Sequence, residues 1–470
     1  MRIDKVVLNN FRCFANLEVT FHPQMTVLIA PNGAGKTTVL DAVRIALWPF
    51  VKGFDLGSQT GKSATIQIDD VRLRLAEQDM EPVLPAAVSA RACQLGEWDV
   101  HEWSQRREQI KVNTKTLGDG ETIALTKFAQ KRQKFIYGDQ EGNSDAPIDL
   151  PLIVYLGTGR LWYQGRYTAQ AEDKKLDASA FSRLWGYQNC LTAASSYKQF
   201  EAWYGWVFRS YRELQMDQLE NRLKPQDQKA FSNFAAAIQV VQRSINALTQ
   251  QLTGWCDLQY RSSMGQKLVM DHPEQGYMPL DMLSDGLRNM VAMVSDIAFR
   301  CIKLNPHLKE EAANETAGIV LIDEVDMFLH PAWQQTVLAS LQKAFPKLQF
   351  IVTTHSPQVI STVPSESIRV LGKDTNGNPV AAMPLAHTYG EPSNSVLLSV
   401  MQVDPQPPIG EKVSLQRLTE LVDQGLGDGD EAKQLMAELL PALGIQHPQI
   451  QRLQRSLARQ QRLAGLSAKP

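Results

Sequence analysis

At 470 residues and 43% hydrophobic composition the chain is long enough for roughly two to four domains with real cores, which excludes a disordered or fibrous protein. A formal charge of −2 at pH 7 gives no global attraction to nucleic acid or an anionic membrane, so any such contact must come from a local patch. The five cysteines are scattered and lack paired metal spacing, the start is not leader-like, and no apolar run approaches the ~18 residues of a membrane span, so the chain reads as a reduced, soluble, cytoplasmic protein.

Residues 1–30 read as a hairpin followed by a strand, with Leu17, Val19 and Phe21 alternating before Pro23. Arg12 either reaches a nucleotide or sits on the hairpin surface. The apolar strand 25–29 runs into Ala30-Pro31-Asn32-Gly33-Ala34-Gly35-Lys36-Thr37-Thr38 and a helix over 38–47. Strand, small-residue loop and helix make a P-loop arrangement. Backbone N–H groups at a helix N-terminus curl around phosphate oxygens, Lys36 reaches the β and γ phosphates, and the Thr37 hydroxyl takes Mg²⁺. The pattern G-x-x-x-x-G-K-[ST] opens here with Ala30 instead of glycine, but the cradle itself uses Asn32, Gly33, Gly35, Lys36 and Thr37, with Ala34 and Thr38 in the same loop. Alone, the motif says that a nucleoside triphosphate binds and not what for.

Strands are predicted at 64–68 and 71–75. Arg106, Arg107, Lys111, Lys115, Lys127, Lys131, Arg132 and Lys134 follow, interleaved with Trp103, Phe128 and Phe135. A DNA-backbone contact uses such a mixture, but Glu102, Glu108 and Asp119 interrupt it, and a solvated face is the favoured reading. Past a Gly-, Asp- and Asn-rich loop at 138–147, a buried strand at 152–155 ends in Leu156-Gly157-Thr158-Gly159-Arg160, where Arg160 is either a γ-phosphate sensor or a solvated turn arginine. Residues 191–253 have helical spacing broken near Lys224-Pro225, which predicts a helical hairpin whose aromatic stripe is its own core.

After a strand at 266–270, Leu283-Ser284-Asp285-Gly286 precedes a helix at 290–303. With a P-loop upstream it becomes a second phosphate-binding device, using the Ser284 hydroxyl and the Gly286 backbone. The strand 318–322 reads as buried on both faces and presents Asp323 and Glu324 at its end. Asp323 would hold Mg²⁺, and Glu324 would polarise an attacking water. A helix at 334–345 and a buried strand at 348–354 lead to His355, whose imidazole can hydrogen-bond a γ-phosphate. Pro405, Pro407 and Pro408 mark a linker to amphipathic helices at 415–422, 431–440 and 450–463. Asp428-Gly429-Asp430 reads as a helix N-cap and not as a nuclease D-x-D. Arg452, Arg455, Arg459 and Arg462 share a helix side, solvated or facing DNA or an acidic partner, with solvent favoured.

The ordered set N-F-R-x-F, P-N-G-A-G-K-T-T, L-S-D-G, L-I-D-E-V-D, L-H-P and T-T-H-S-P resembles the ATP-binding-cassette heads of the RecF, SMC and OLD group. The stretches 152–162, 283–288 and 389–398 resemble the PtuA-type ATPases of Septu and retron-associated antiphage systems. The resemblance implies an α/β fold: an ABC-type P-loop ATPase head with a mixed β-sheet and flanking helices, an inserted helical hairpin and a C-terminal helical region, divided at 1–190, 191–262, 263–385 and 386–470. It implies ATP and Mg²⁺ as cofactors, phosphate binding by the loop residues, magnesium and water activation at Asp323 and Glu324, a signature acting in trans at Ser284 and Gly286, and a switch histidine at His355. Lys36, Glu324 and His355 are then the catalytic set. It also implies slow, regulatory hydrolysis in a head-to-tail homodimer or higher oligomer, controlling a separate HNH nuclease of the PtuB type, through which any nucleic acid is met. No glutamine matches the Q-loop, and no nuclease cluster is legible in this chain. The rival readings are a RecF-like repair ATPase that clamps DNA and a nucleotide-gated scaffold with negligible turnover.

Overall fold

Strands covered on both faces must be apolar throughout, and Met25–Ile29, Leu152–Leu156, Gly318–Ile322 and Leu348–Thr353 are buried at every position. In the computed structural model, which describes residues 1–58, 63–76, 79–93, 102–112, 114–138, 147–160, 178–192 and 197–467, they form the centre of a six-stranded sheet. Its order is Pro379–Ala382, Ile368–Lys373, Met25–Ile29, Leu348–Thr353, Gly318–Ile322, Leu152–Leu156. All neighbours pair parallel except the antiparallel edge Pro379–Ala382, so the P-loop, the acidic pair and the His355 segment leave from one edge of the sheet.

A second, five-stranded antiparallel sheet runs in the order Phe14–Thr20, Arg2–Phe11, Ala86–Cys93, Glu102–Arg107, Leu117–Gly118. It grips the P-loop helix Lys36–Val51 through Trp103 Nε1, which donates to the Ala46 carbonyl at 2.8 Å, and Gln105 Nε2, which donates to the Ile45 carbonyl at 2.6 Å. The strand expected at 64–68 does not form. The Asp70 carboxylate accepts the Gln67 N–H at 2.8 Å and closes a single 3₁₀ turn, Ile68–Asp70, a local bond that outcompetes a ladder. Most of the loop expected at 138–147, together with Leu161 and Trp162, lies outside the described residues.

The helical hairpin is Tyr197–Leu219 and Gln228–Thr253, closed by a Tyr211–Phe231 stack with centroids 5.1 Å apart and an edge-to-face Trp206–Phe234 contact at 5.2 Å. A three-stranded sheet, Cys256–Arg261, Lys267–His272 and Gly276–Pro279, follows it. The next helix, Asp285–Leu304, starts earlier than the expected residue 290 because Ser284 caps it.

The chain forms two compact units, Met1–Met401 and Gln402–Pro470. Residues 386–401, assigned from sequence to the C-terminal region, fold with the first unit: Thr388 Oγ1 donates to the Val363 carbonyl at 2.7 Å, and Val396 and Val400 join its core. The second unit packs the helices Lys412–Asp423, Asp430–Leu443 and Pro448–Ser467 around Leu418, Val422, Leu439 and Ile450. The stretch Asp428-Gly429-Asp430 starts the helix Asp430–Leu443 with Gly429 at the cap position, and Asp428 accepts from Gln461 Nε2 at 2.7 Å. No helix among the described residues is long and apolar enough to cross a membrane.

Candidate nucleotide site

Residues 30–35 connect the strand Met25–Ile29 to the helix Lys36–Val51. Gly33 and Gly35 take φ of 78° and 97°, the left-handed region that favours glycine. At Gly35 the demand is also steric, since a Cβ would lie 2.5 Å from the Phe14 ring and 2.9 Å from Cys13 Sγ. Ala30 keeps a negative φ, so the position where the motif has glycine does not need it here. Asn32, Gly33 and Thr37 face solvent, Ala34 and Gly35 are half-buried, and Thr38 is buried. Lys36 Nζ turns back into the loop, donating to the Ala30 carbonyl at 2.9 Å and the Pro31 carbonyl at 3.4 Å. Burial lowers its pKa, opposed by Asp323, Glu324 and Asp326 nearby.

The acids stand where Gly318–Ile322 leaves the sheet. One Asp323 carboxylate oxygen accepts the Thr37 hydroxyl at 2.9 Å and the other accepts the Thr353 hydroxyl at 2.6 Å. Glu324 follows with φ of 49°, an unusual backbone for a non-glycine residue that costs of the order of 1–3 kcal/mol and persists only when its surroundings hold it. Its N–H donates to Thr353 Oγ1 at 2.7 Å, and the Val325 N–H donates to the Thr353 carbonyl at 3.0 Å. Thr353 therefore orients both acids, a task the sequence reading did not assign to it. The signal was its place at the end of the strand between the P-loop strand and the acidic strand. Half-buried His355 follows Thr354, whose hydroxyl donates to Asp326 at 2.6 Å.

Ser284 is exposed and caps its helix, its hydroxyl oxygen accepting the Leu287 N–H at 3.4 Å. Gly286 lies against the turn after Glu324, where a Cβ would come within 2.5 Å of the Phe328 carbonyl. Arg12 is half-buried and paired, not alone on the surface. Its Nε donates to Asp70 at 2.8 Å and its Nη1 to Asp41, on the P-loop helix, at 2.7 Å. Burial pushes the Arg12 pKa down, and Asp41 and Asp70 together more than offset it, leaving it raised.

Arg160 is 3% exposed and donates to the carbonyls of Gly157, Asp323 and Glu324 and to Asn289, so it is neither a γ-phosphate sensor nor a solvated turn arginine. The basic stretch divides as well. Arg107 is buried and donates to the carbonyls of Ile66, Thr114 and Lys111, Trp103 is buried, and Arg106, Lys111, Lys115, Lys127, Lys131 and Lys134 are exposed. Arg452, Arg455, Arg459 and Arg462 are all exposed.

The donor set at Thr37 and Asp323 is hard oxygen, which fits Mg²⁺ when phosphate and water oxygens complete its shell. Among the described residues no group of three or more His, Cys, Asp or Glu could hold a metal ion.

Residues 5–253 match a family model described as an AAA domain, and residues 188–360 one described as an AAA ATPase domain. The chain is similar to the retron Vc95 probable ATPase of Vibrio cholerae serotype O1 biovar El Tor, 23% identical over 93% of this chain and 86% of that protein. It is similar to the retron Ec83 probable ATPase of Escherichia coli, 24% identical over 94% of this chain and 84% of that protein. It is also similar to the Septu protein PtuA of Bacillus mycoides (strain KBAB4), 43% identical over 82 residues, which are 17% of this chain and 11% of that protein. The likeness to retron and PtuA-type ATPases drawn from the motifs is borne out.

Proposed function

This chain belongs to the AAA-domain family of ATPases, and on that premise we propose that it is the nucleotide switch of an antiphage defence assembly, hydrolysing ATP between two head-to-tail copies of itself. The observation that carries the reading is the 2.9 Å contact between Thr37 and Asp323, which brings the P-loop hydroxyl and the strand-end carboxylate to one point beside Lys36. In this reading the loop N–H groups of 32–38 wrap the phosphates, and Lys36 neutralises the β and γ oxygens. Thr37 and Asp323 hold Mg²⁺, which when bound offsets the charge developing on those oxygens. Glu324 orients the attacking water, and His355 donates to the γ-phosphate. Exposed Ser284 and the Gly286 backbone of one copy close over the γ-phosphate of the other, so ATP joins the subunits and hydrolysis releases them.

The likeness to retron ATPases and to PtuA supports a place in cytoplasmic defence, with an HNH nuclease of the PtuB type as the regulated partner. Light scattering of Glu324→Gln with ATP and Mg²⁺ tests the shared site. We expect a stable dimer, phosphate release lowered by about 100-fold, and loss of the dimer when Ser284→Arg is added. A Glu324→Gln protein that binds ATP and stays monomeric removes the reading. Co-expression with a neighbouring HNH gene tests the partner, with co-purification expected.

A further inference from the structure

We propose that Arg160 and Asn289 form a positioning bridge that couples the start of the Ser284 helix to the backbone of Asp323 and Glu324, so that a neighbouring copy's nucleotide, seated on Ser284, sets the geometry of the hydrolytic acid. The inference rests on the shared-site reading above and deepens it.

The bridge is built from hydrogen bonds on both sides. Arg160 arrives from the end of Leu152–Leu156, the strand paired with Gly318–Ile322, and so comes in beneath the acids from the neighbouring strand. Its Nη1 donates to the Asp323 carbonyl at 2.7 Å and the Gly157 carbonyl at 3.1 Å, and its Nη2 donates to the Glu324 carbonyl at 2.7 Å. Its Nε donates to Asn289 Oδ1 at 2.8 Å. Asn289 is fully buried on the helix Asp285–Leu304 and its Nδ2 donates to the Met327 carbonyl at 2.8 Å. One amide side chain thus touches the arginine under Glu324 and the turn that follows it.

This is an expensive way to pack an interior. Among the described residues the hydrogen bonds of the buried Arg160 guanidinium go to carbonyl and amide oxygens, and burying a charge without a directly paired carboxylate costs several kcal/mol where an apolar side chain would not. Burial lowers its pKa to about 10, with Asp323, Glu324 and Asp326 opposing the fall, so it is charged at neutral pH and lies beneath the acids. What the charge supplies is a grip on one peptide. Glu324 has the strained φ of 49°, its N–H is held by Thr353 Oγ1, and its carbonyl is held by Arg160. Removing either hold lets Glu324 relax away from the position in which it can orient water.

Asn289 lies on the same rigid helix as Ser284, about 7–8 Å along its axis at 1.5 Å per residue. A shift of the helix start therefore reaches Asn289 undamped, and through it the Glu324 carbonyl and the Met327 turn. The close approach of Gly286 to the Phe328 carbonyl is a second contact between the same helix and the same turn.

The test compares Arg160→Met, Asn289→Asp, which keeps the acceptor for Arg160 and loses the donor to Met327, and the double variant. Each is assayed for ATP affinity by equilibrium dialysis, for ATP-dependent dimer formation in a Glu324→Gln background, and for phosphate release. We expect ATP affinity and the trapped dimer to stay within about threefold of wild type while kcat falls about tenfold or more, with the double variant no worse than Arg160→Met alone. Should Arg160→Met fold poorly, Asn289→Asp carries the same expectation. A kcat within twofold of wild type, ATP affinity falling in step with kcat, or additive losses in the double variant overturn the bridge and leave the shared site standing. A wild type that turns over ATP as a monomer overturns both.

Discussion

Thr37 and Asp323, 286 positions apart in the chain, are joined by a 2.9 Å hydrogen bond from hydroxyl to carboxylate. Sheet order makes the contact: the P-loop strand Met25–Ile29 and the acidic strand Gly318–Ile322 both pair with Leu348–Thr353, which lies between them. That middle strand ends at Thr353, whose hydroxyl spans Asp323 and the Glu324 N–H. The P-loop, Asp323 and Glu324 are thus placed by three adjacent parallel strands, and one threonine holds the two acids.

Asp323→Asn separates binding from turnover. The amide oxygen can still accept from Thr37 or Thr353, so the fold should survive, but the anionic ligand for Mg²⁺ is gone. We expect phosphate release to fall about 100-fold, some 3 kcal/mol of barrier, with nucleotide binding in EDTA unchanged. A magnesium titration of phosphate release with a wild-type midpoint would remove Asp323 from the metal site.

Gly35→Ala and Gly33→Ala should part company. Both positions have positive φ, but only at Gly35 does a Cβ meet atoms, the Phe14 ring at 2.5 Å and Cys13 Sγ at 2.9 Å, whereas Gly33 has nothing within 4 Å. Gly33→Ala should cost about 1 kcal/mol in unfolding free energy, from backbone conformation alone. Gly35→Ala should cost more and also weaken ATP binding about tenfold or more, because the hairpin tip must move off the loop. Equal effects in thermal unfolding and ATP titration would contradict the steric account.

How much was legible follows from what each residue's surroundings require. The central strands were readable because burial on both faces leaves only apolar runs, and the acids at the end of one such run had no cheap structural explanation. Residues 64–68 were misread because their alternation resembles a strand while the Gln67–Asp70 bond settles the backbone locally. Arg160 could not be placed, since partners at Asn289, Asp323 and Glu324, 129 or more positions away, leave no mark of burial in its own neighbourhood. Arg12 was open for the same reason: its partners Asp41 and Asp70 lie 29 and 58 positions away.

Arg106 and Arg107, neighbours in a basic stretch, should behave oppositely. Arg107 is buried and ties the carbonyls of Ile66, Thr114 and Lys111 together at 3.0–3.1 Å, so Arg107→Ala removes a charged donor from all three and should destabilise the fold by ~2–4 kcal/mol. Arg106 makes an exposed pair with Glu108, so Arg106→Ala should cost under about 0.5 kcal/mol. Denaturant unfolding distinguishes them, and a DNA-binding assay should find no loss specific to Arg107→Ala beyond its unfolding.

Lys303, near the end of the Ser284 helix, gives a pH signature. Burial lowers its pKa from the ordinary 10.5 to about 8, although its Nζ donates to the Ala180 carbonyl at 2.6 Å. The folded pKa is the lower one, so between about 8 and 10.5 the unfolded chain holds a proton that the folded chain has released, and stability from this group rises with pH across that window. Below pH 8 the full penalty of a buried ammonium, ~2–4 kcal/mol, is present and independent of pH. Cys190 and Cys301, raised by burial from 9.0 to about 12, work the other way above pH 9, so the lysine is isolated by difference. Lys303→Met should unfold at a higher temperature than wild type at pH 7, with the gap narrowing steadily toward pH 10. A gap that stays constant over that range would mean the ammonium is solvated and the helix end open.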